Sequence, residues 1–516
     1  MKTHSFLKGA AILALAGLVS KVLGALYRIP FFRVVGAEGM GLYQMAYPIY
    51  TMLLAISSAG IPVAVSKIIS ENAARRNFGG IRRSFAVSLI FVALLSGFQS
   101  IMLYKSAVFL AVNVFHVPAA VYSIRAIAPA VFFVGMMSVF RGYFQGFQEM
   151  TPTALSQVLE QFIRVATVLV GAYIFLSAGI EYASAAATFG AVTGGAGGLL
   201  FLIGLYFIRP YFKITSSGYI GSSRQYFQSI LFIIYRLCML ALPISLGALV
   251  LPLMQTLDAV TVPGRLQLAG YSISRSSQLY GQLTGVAITL INLPTVFTVS
   301  LASSLVPAIS RGLERRSFDD VKRQIKTSME ITMLVCIPAV AGLIVLASPI
   351  SNFLFRCPEA GLPLAVLAPA ALFLGLHQTT TGILQGMGKT FVPVINLALG
   401  VFVKLIINYT LVPLPQIGIV GAAVGTTAGF LLSSYMNYLH IRSYLGGVLD
   451  YRKILLKPVF AATIMAVGTY FAYSQSTVIL GSDWATVAAV FIGIIVYFTA
   501  LSFLGILDQM GIIIKK

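Results

Sequence analysis

Apolar runs about twenty residues long, separated by short polar turns, recur along the whole chain. A run of that length, at about 1.5 Å per residue, crosses the roughly 30 Å hydrocarbon core of a bilayer as a helix. The runs lie near 11–32, 43–65, 84–105, 119–140, 155–177, 184–207, 237–257, 279–302, 329–348, 362–383, 391–412, 417–440, 454–474 and 484–507. They predict an all-α polytopic membrane protein with about fourteen transmembrane helices. The first run follows Lys2 and Lys8, as the core of a signal peptide would. It continues past Lys21 and Arg28 without a small-residue cleavage site, so it reads as a retained helix.

Composition agrees with lipid as the main solvent. Of 516 residues, 58% are hydrophobic and 9% charged, whereas soluble domains carry roughly a quarter charged residues. A net charge of +21 would suggest nucleic acid in a soluble protein. Here most basic residues sit in short loops, where they set topology. Lys67, Arg75, Arg76, Arg82 and Arg83 share one set of loops with Arg209, Lys213 and Arg224, with the run from Arg311 to Lys326, and with Arg442, Arg452 and Lys453. The other set holds only Arg33, Lys105, Arg265, Arg275 and Arg356. The positive-inside rule then predicts that both termini, with Lys2, Lys8, Lys515 and Lys516, are cytoplasmic.

Little points to metals, cofactors or nucleotides. Cys238, Cys336 and Cys357 are scattered, and His4, His116, His377 and His440 have no ligand spacing. The stretch GILQGMGKT (382–390) ends like a phosphate-binding loop, but its first glycine is one residue too early and it lies between apolar runs. It has a partner instead. Gly-x-x-Gln-Gly occurs at Gly142, Gln145, Gly146 and again at Gly382, Gln385, Gly386. Each copy precedes a proline, Pro152 or Pro393, and a span with a basic residue, Arg164 or Lys404. YPIYTMLLAISSAGIPVAVSK (47–67) likewise echoes LPTVFTVSLASSLVPAISR (293–311). These echoes predict a duplication: an N-terminal six-helix bundle over 1–224, a second over 225–447, and two added helices over 448–516.

Several segments carry a family resemblance: SKVLGALYRIPFFRVVGAEGMGLYQ (20–44), SSAGIPVAVSK (57–67), FRGYFQGFQEMTPTALSQVLEQFIR (140–164), DAVTVPGRL (258–266) and LVPAISR (305–311). Together they resemble the stage V sporulation protein B type of polysaccharide-biosynthesis membrane protein, in the multidrug/oligosaccharidyl-lipid/polysaccharide (MOP) exporter superfamily. The resemblance spans essentially the full chain. It implies two pseudo-symmetric six-helix bundles around a central cavity, two further C-terminal helices, and flipping of lipid-linked sugars, either lipid II or a related undecaprenyl-pyrophosphate glycan. The lipid II flippase branch is a near relative. Its Ser-Arg-Val-Leu-Gly pattern is matched by Ser20-Lys21-Val22-Leu23-Gly24, but the next arginine here is Arg28 rather than at Tyr27, and Thr289 stands where that branch has an arginine.

Charges inside a membrane cost roughly 2.5–3.5 kcal/mol each on insertion scales, so they single out candidate sites. Lys21, Arg28, Arg33, Arg164 and Lys404 could converge on a diphosphate, while Glu160, Asp258, Gln44 and Asn396 could supply polar or coupling groups. Alternatives stand beside this reading. Arg33, Arg125 and Arg236 could reach lipid headgroups, and Glu160 and Arg164, four apart on a helix, could neutralise each other. The expected partners are a lipid-linked oligosaccharide, membrane lipids and a coupling ion, with no cofactor, nucleic acid or nucleotide, and the chain is expected to act as a monomer. A cation antiporter of the same superfamily would need more intramembrane carboxylates. A membrane enzyme would need acidic or histidine clusters in large loops, which this chain lacks.

Overall fold

A computed structural model describes residues 2–208, 223–445 and 451–505, with side chains over 12–13, 15–208, 230–444 and 455–505. The side chains of Lys2, Lys8, Arg209, Lys213, Arg224, Arg452, Lys453, Lys515 and Lys516, and the expected boundary at 447/448, lie outside the described residues. Every regular element described is helical. Among the described residues, eleven helices are long and apolar enough to cross a membrane, or twelve if the pair Pro358–Leu367 and Pro369–Gly386, bent by 46°, counts as one span. Their outward faces are as apolar as their buried ones: Leu94, Phe98 and Leu200 are about two-thirds exposed or more. Helices hydrophobic all round require a lipid surround, so the chain is a multi-pass membrane protein.

Contacts divide the chain into two compact units, Met1–Pro263 and Gly264–Lys516. In the first unit, α1 (Lys2–Leu26) leads into α2 (Arg28–Ser57), which contains a break at Gly36. Gly36 has φ 69° and ψ −173°, a conformation open to glycine and closed to most other residues. After Gly60 come α3 (Ile61–Ala74), α4 (Phe78–Phe109), α5 (Ala120–Gly146), α6 (Thr151–Phe175), α7 (Ile180–Ile208) and the long α8 (Ser223–Leu268), whose last turn, from Gly264, belongs to the second unit. The core of this unit lies where Ile69 and Ile81 meet a ring cluster in which Phe85 stands 5.2 Å from Phe140 and 4.8 Å from Tyr143. The second unit contains α9 (Ile273–Gly281), α10 (Ile288–Glu314), α11 (Phe318–Val345), α12 (Ala347–Phe355), α13 (Gly361–Leu367), α14 (Pro369–Gly386), α15 (Val392–Leu411), α16 (Ile419–Leu445) and α17 (Tyr451–Phe503). Gly481, with φ 74°, breaks α17.

The two units reuse one set of local devices at a constant offset of 240 residues. The three non-helical turns with positive φ at Arg76, His116 and Gln148 recur at Arg316, Arg356 and Gly388. The glycine motif recurs as packing. A Cβ at Gly142 would lie 2.8 Å from Pro62 O, and one at Gly382 would lie 2.7 Å from Ala302 O. Gly146 meets Ile69 and Ser66 O, as Gly386 meets Ile309 and Val306 O. Small residues let these helix backbones approach closely. Gly382→Val should therefore force α10 and α14 apart. Overpacking of this kind costs about 1–3 kcal/mol, and the variant should show a lower thermal unfolding midpoint in detergent than the wild type. GILQGMGKT is thus the end of α14 and its turn, and Lys389 lies over the Tyr444 ring, 4.9 Å from its centroid.

Candidate anion-binding site

In the first unit, three intramembrane charges, Arg141, Glu160 and Arg164, meet where α5 and α6 pack beside α2. Gly190, Gly194 and Gly198 of α7 leave almost no gap to α6: added Cβ atoms would lie 3.0 Å from Arg164 O, 2.6 Å from Glu160 O and 3.4 Å from Ser156 O. That close contact occupies one side of α6. On the same helix, Arg164 Nη2 donates to Glu160 Oε1 at 2.5 Å, the expected i,i+4 pair.

The pair does not close on itself. Arg141 of α5 donates through Nη2 to the other oxygen, Glu160 Oε2, at 3.0 Å, and through Nε to Ser156 Oγ at 3.0 Å. One carboxylate is therefore shared by two guanidiniums, and a positive charge remains in excess. Arg164 is only 9% exposed. Burying unbalanced charge is costly unless a partner completes it.

Tyrosines of α2 extend the network. Arg164 Nη1 donates to Tyr47 Oη at 3.3 Å, and the Tyr47 ring stacks on Tyr43 with centroids 5.5 Å apart. Tyr43 Oη lies 2.8 Å from Tyr27 Oη. Arg28 lies among the phenols of Tyr27, Tyr43 and Tyr47. Pro48 sits inside α2 beside this ladder. The ladder thus connects Arg28 to Arg164, whereas Lys21 and Arg33 are exposed on their helices. Gln44 is buried on α2, and Asp258 is buried on α8. Arg236 pairs with Glu71 rather than reaching outward alone, and Arg125 lies over the Tyr104 ring.

The second unit has a different polar cluster. Lys404 of α15 is 3% exposed. One and two turns earlier on the same helix lie Gly400 and Asn396. Asn396 Nδ2 donates to Asn437 Oδ1 at 2.8 Å, and Asn437 Nδ2 donates to Thr380 Oγ1 at 3.1 Å and approaches His377 Nδ1 at 3.3 Å. Neither Arg141 nor His377 was singled out by the sequence. Arg141 immediately precedes the Gly142 motif, and that adjacency was the available signal. Among the described residues, no group of three or more His, Cys, Asp or Glu residues could hold a metal ion.

Comparison with known proteins places these features. A family model described as "Polysaccharide biosynthesis protein" matches residues 6–313, and one described as "MatE" matches residues 283–410. The chain is 30% identical to stage V sporulation protein B of Bacillus subtilis (strain 168), over 95% of this chain and 94% of that protein. It is 28% identical to the lipid II flippase MurJ of the same organism, over 90% of this chain and 87% of that one. Its fold is similar to a solved structure of a lipid II flippase MurJ in an inward closed conformation, with a TM-score of 0.72 at 16% identity, covering 97% of this chain and 100% of that one.

Proposed function

Because this chain belongs to the polysaccharide biosynthesis protein family, and with it to the MOP exporter superfamily, we propose that it is a flippase for undecaprenyl-pyrophosphate-linked sugars. Lipid II or a related cell-wall or polysaccharide precursor would cross the bacterial cytoplasmic membrane by alternating access. The observation that carries this reading is the buried pair of arginines on a single carboxylate, Arg141 and Arg164 on Glu160. An excess of guanidinium in a low-dielectric setting favours an anionic ligand, and a diphosphate offers the oxygens that match its fork. Lys21, Arg28, Arg33 and Lys404 are proposed as further diphosphate contacts, with Gln44, Asp258 and Asn396 as polar or coupling groups.

Purified protein in proteoliposomes should flip fluorescent undecaprenyl-diphosphate sugars and leave neutral isoprenyl glycosides in place. Equal transport of both, or of neither, would defeat the reading. The match of residues 283–410 to the MatE model favours a second reading, a cation antiporter of the same superfamily. Uptake of cationic dyes by the same vesicles would support it.

We further propose fourteen spans, with both termini cytoplasmic. Counting the bent pair as one span and dividing the long helices at Gly36 and at Gly481 brings the total to fourteen. Cysteines placed between Lys67 and Arg83 should then react with impermeant maleimide only in inside-out vesicles. Labelling in intact cells would reverse the topology. No nucleotide is required, and an ion gradient or the membrane potential would drive the cycle.

A further inference from the structure

The duplication supplies an internal control for the charged trio. At the 240-residue offset, Arg141, Glu160 and Arg164 correspond to Thr381, Gly400 and Lys404. The surrounding packing is nevertheless the same. In the second unit, Gly429 lies against Gly400 O and Gly425 against Lys404 O, much as Gly194 lies against Glu160 O and Gly190 against Arg164 O. A helix pair of this shape therefore forms without an acid and without the arginine at position 141. Glu160 and Arg141 are dispensable to the architecture, which leaves their chemistry to be explained.

That chemistry is a bridged carboxylate. Both oxygens of Glu160 are occupied, at 2.5 Å by Arg164 and at 3.0 Å by Arg141, and the three side chains keep only 10–15% exposure. Arg164 Nε is buried with no hydrogen-bond partner among the described residues, and so is Gln157 Oε1, one turn before Glu160. One N–H donor and one amide oxygen acceptor therefore remain unsatisfied on the helix that carries the excess positive charge. Unsatisfied groups of this kind are costly and rare. A phosphate group offers three or more acceptor oxygens where the carboxylate has two, enough to engage both guanidiniums and the idle Nε–H.

We infer that Arg141 and Arg164 form an anion site in which the Glu160 carboxylate is a built-in competitor of the substrate's diphosphate. Glu160 holds both arginines when substrate is absent and yields them when phosphate oxygens arrive. Its return displaces the diphosphate, so that a ligand bound through two charge-assisted forks can still leave. The inference rests on the flippase reading for its ligand class, and it adds Arg141 to the site.

The test uses the full chain in lipid nanodiscs, titrated with farnesyl diphosphate and, as a control, farnesol. Glu160→Gln should bind farnesyl diphosphate about tenfold more tightly than wild type and release it more slowly, since one competing charge is removed. Arg141→Gln should weaken it about tenfold, and farnesol binding should not change in either variant. Unchanged or weaker diphosphate binding by a folded Glu160→Gln variant overturns the inference. If that variant fails to fold, Glu160→Asp is measured instead. Its carboxylate is drawn back by one methylene, so it should bind the diphosphate more tightly than wild type, and binding equal to wild type overturns the inference. Flipping is assayed in parallel. Wild-type flipping with no gain in Glu160→Gln affinity sinks the competition and leaves the flippase standing. A tenfold gain without any wild-type flipping does the reverse.

Discussion

Arg28→Ala is expected to reduce translocation of an undecaprenyl-diphosphate sugar about a hundredfold while leaving membrane insertion intact. A hydrogen bond to a charged group contributes about 1.5–3 kcal/mol, and 1.4 kcal/mol is tenfold. Loss of one guanidinium from a diphosphate contact therefore spans roughly ten- to 150-fold. Arg28 sits half-buried at the start of α2, among Tyr27, Tyr43 and Tyr47. Its removal also takes the cation from one end of the ladder that reaches Arg164. Arg28→Lys should restore only part of the rate, because the ammonium keeps the charge and loses the planar fork. Lys21→Ala should act in the same direction. Wild-type flipping by both alanine variants, at equal protein in the vesicles, would remove the α1–α2 junction from the substrate path.

Much of the fold was legible because a bilayer imposes one strong constraint. Long apolar runs must be helices in lipid, and the runs near 84–105, 119–140 and 155–177 match α4, α5 and α6 to within two residues at the ends they overrun. Bends were less legible, because apolarity does not record where a helix turns. The run at 43–65 conceals a break at Ser58–Gly60, just before Pro62 in the first turn of α3, where Ala241 O packs against Gly60. Nothing local to Gly60 announces a neighbour 181 positions away. The repeat shows the same division. Gly-x-x-Gln-Gly was visible as sequence, but the recurrence of positive φ at Arg76 and Arg316 was not, since arginine carries no turn signal.

The candidate site divides along the same line. Glu160 and Arg164 are four apart on one helix, so their pairing follows from helical geometry alone. Mutual neutralisation describes only half of what they do, because the second Glu160 oxygen is taken by Arg141. That third member lies 19 residues upstream on a different helix, and no periodicity joins it to the pair. The tyrosine ladder was hidden for another reason. Tyrosine is common at membrane interfaces, and only the stacking of Tyr43 on Tyr47 shows that these rings line up toward Arg164.

Lys404→Met is expected to abolish translocation while leaving the unfolding midpoint close to that of the wild type. Lys404 is almost fully buried on α15, and a buried ammonium loses several kcal/mol of hydration, roughly speaking, even after local relaxation. Methionine matches its length and fills the same space without that cost. Relief of that penalty offsets the contact that the ammonium gives up, which leaves the substitution near neutral for stability. A purely structural lysine would thus be dispensable, and its methionine variant would transport normally. A lysine retained to meet a diphosphate would instead lose activity with no matching loss of stability. In the repeat, the corresponding Arg164 is paired with Glu160, and Gly400 stands at the position of that acid. Arg164→Met should therefore lose both activity and stability, since it strands Glu160 on Arg141 alone, and breaking a buried pair costs about 3–5 kcal/mol. Thermal unfolding and flipping measured on both variants separate the two roles. Normal flipping by Lys404→Met would remove Lys404 from the proposed diphosphate contacts.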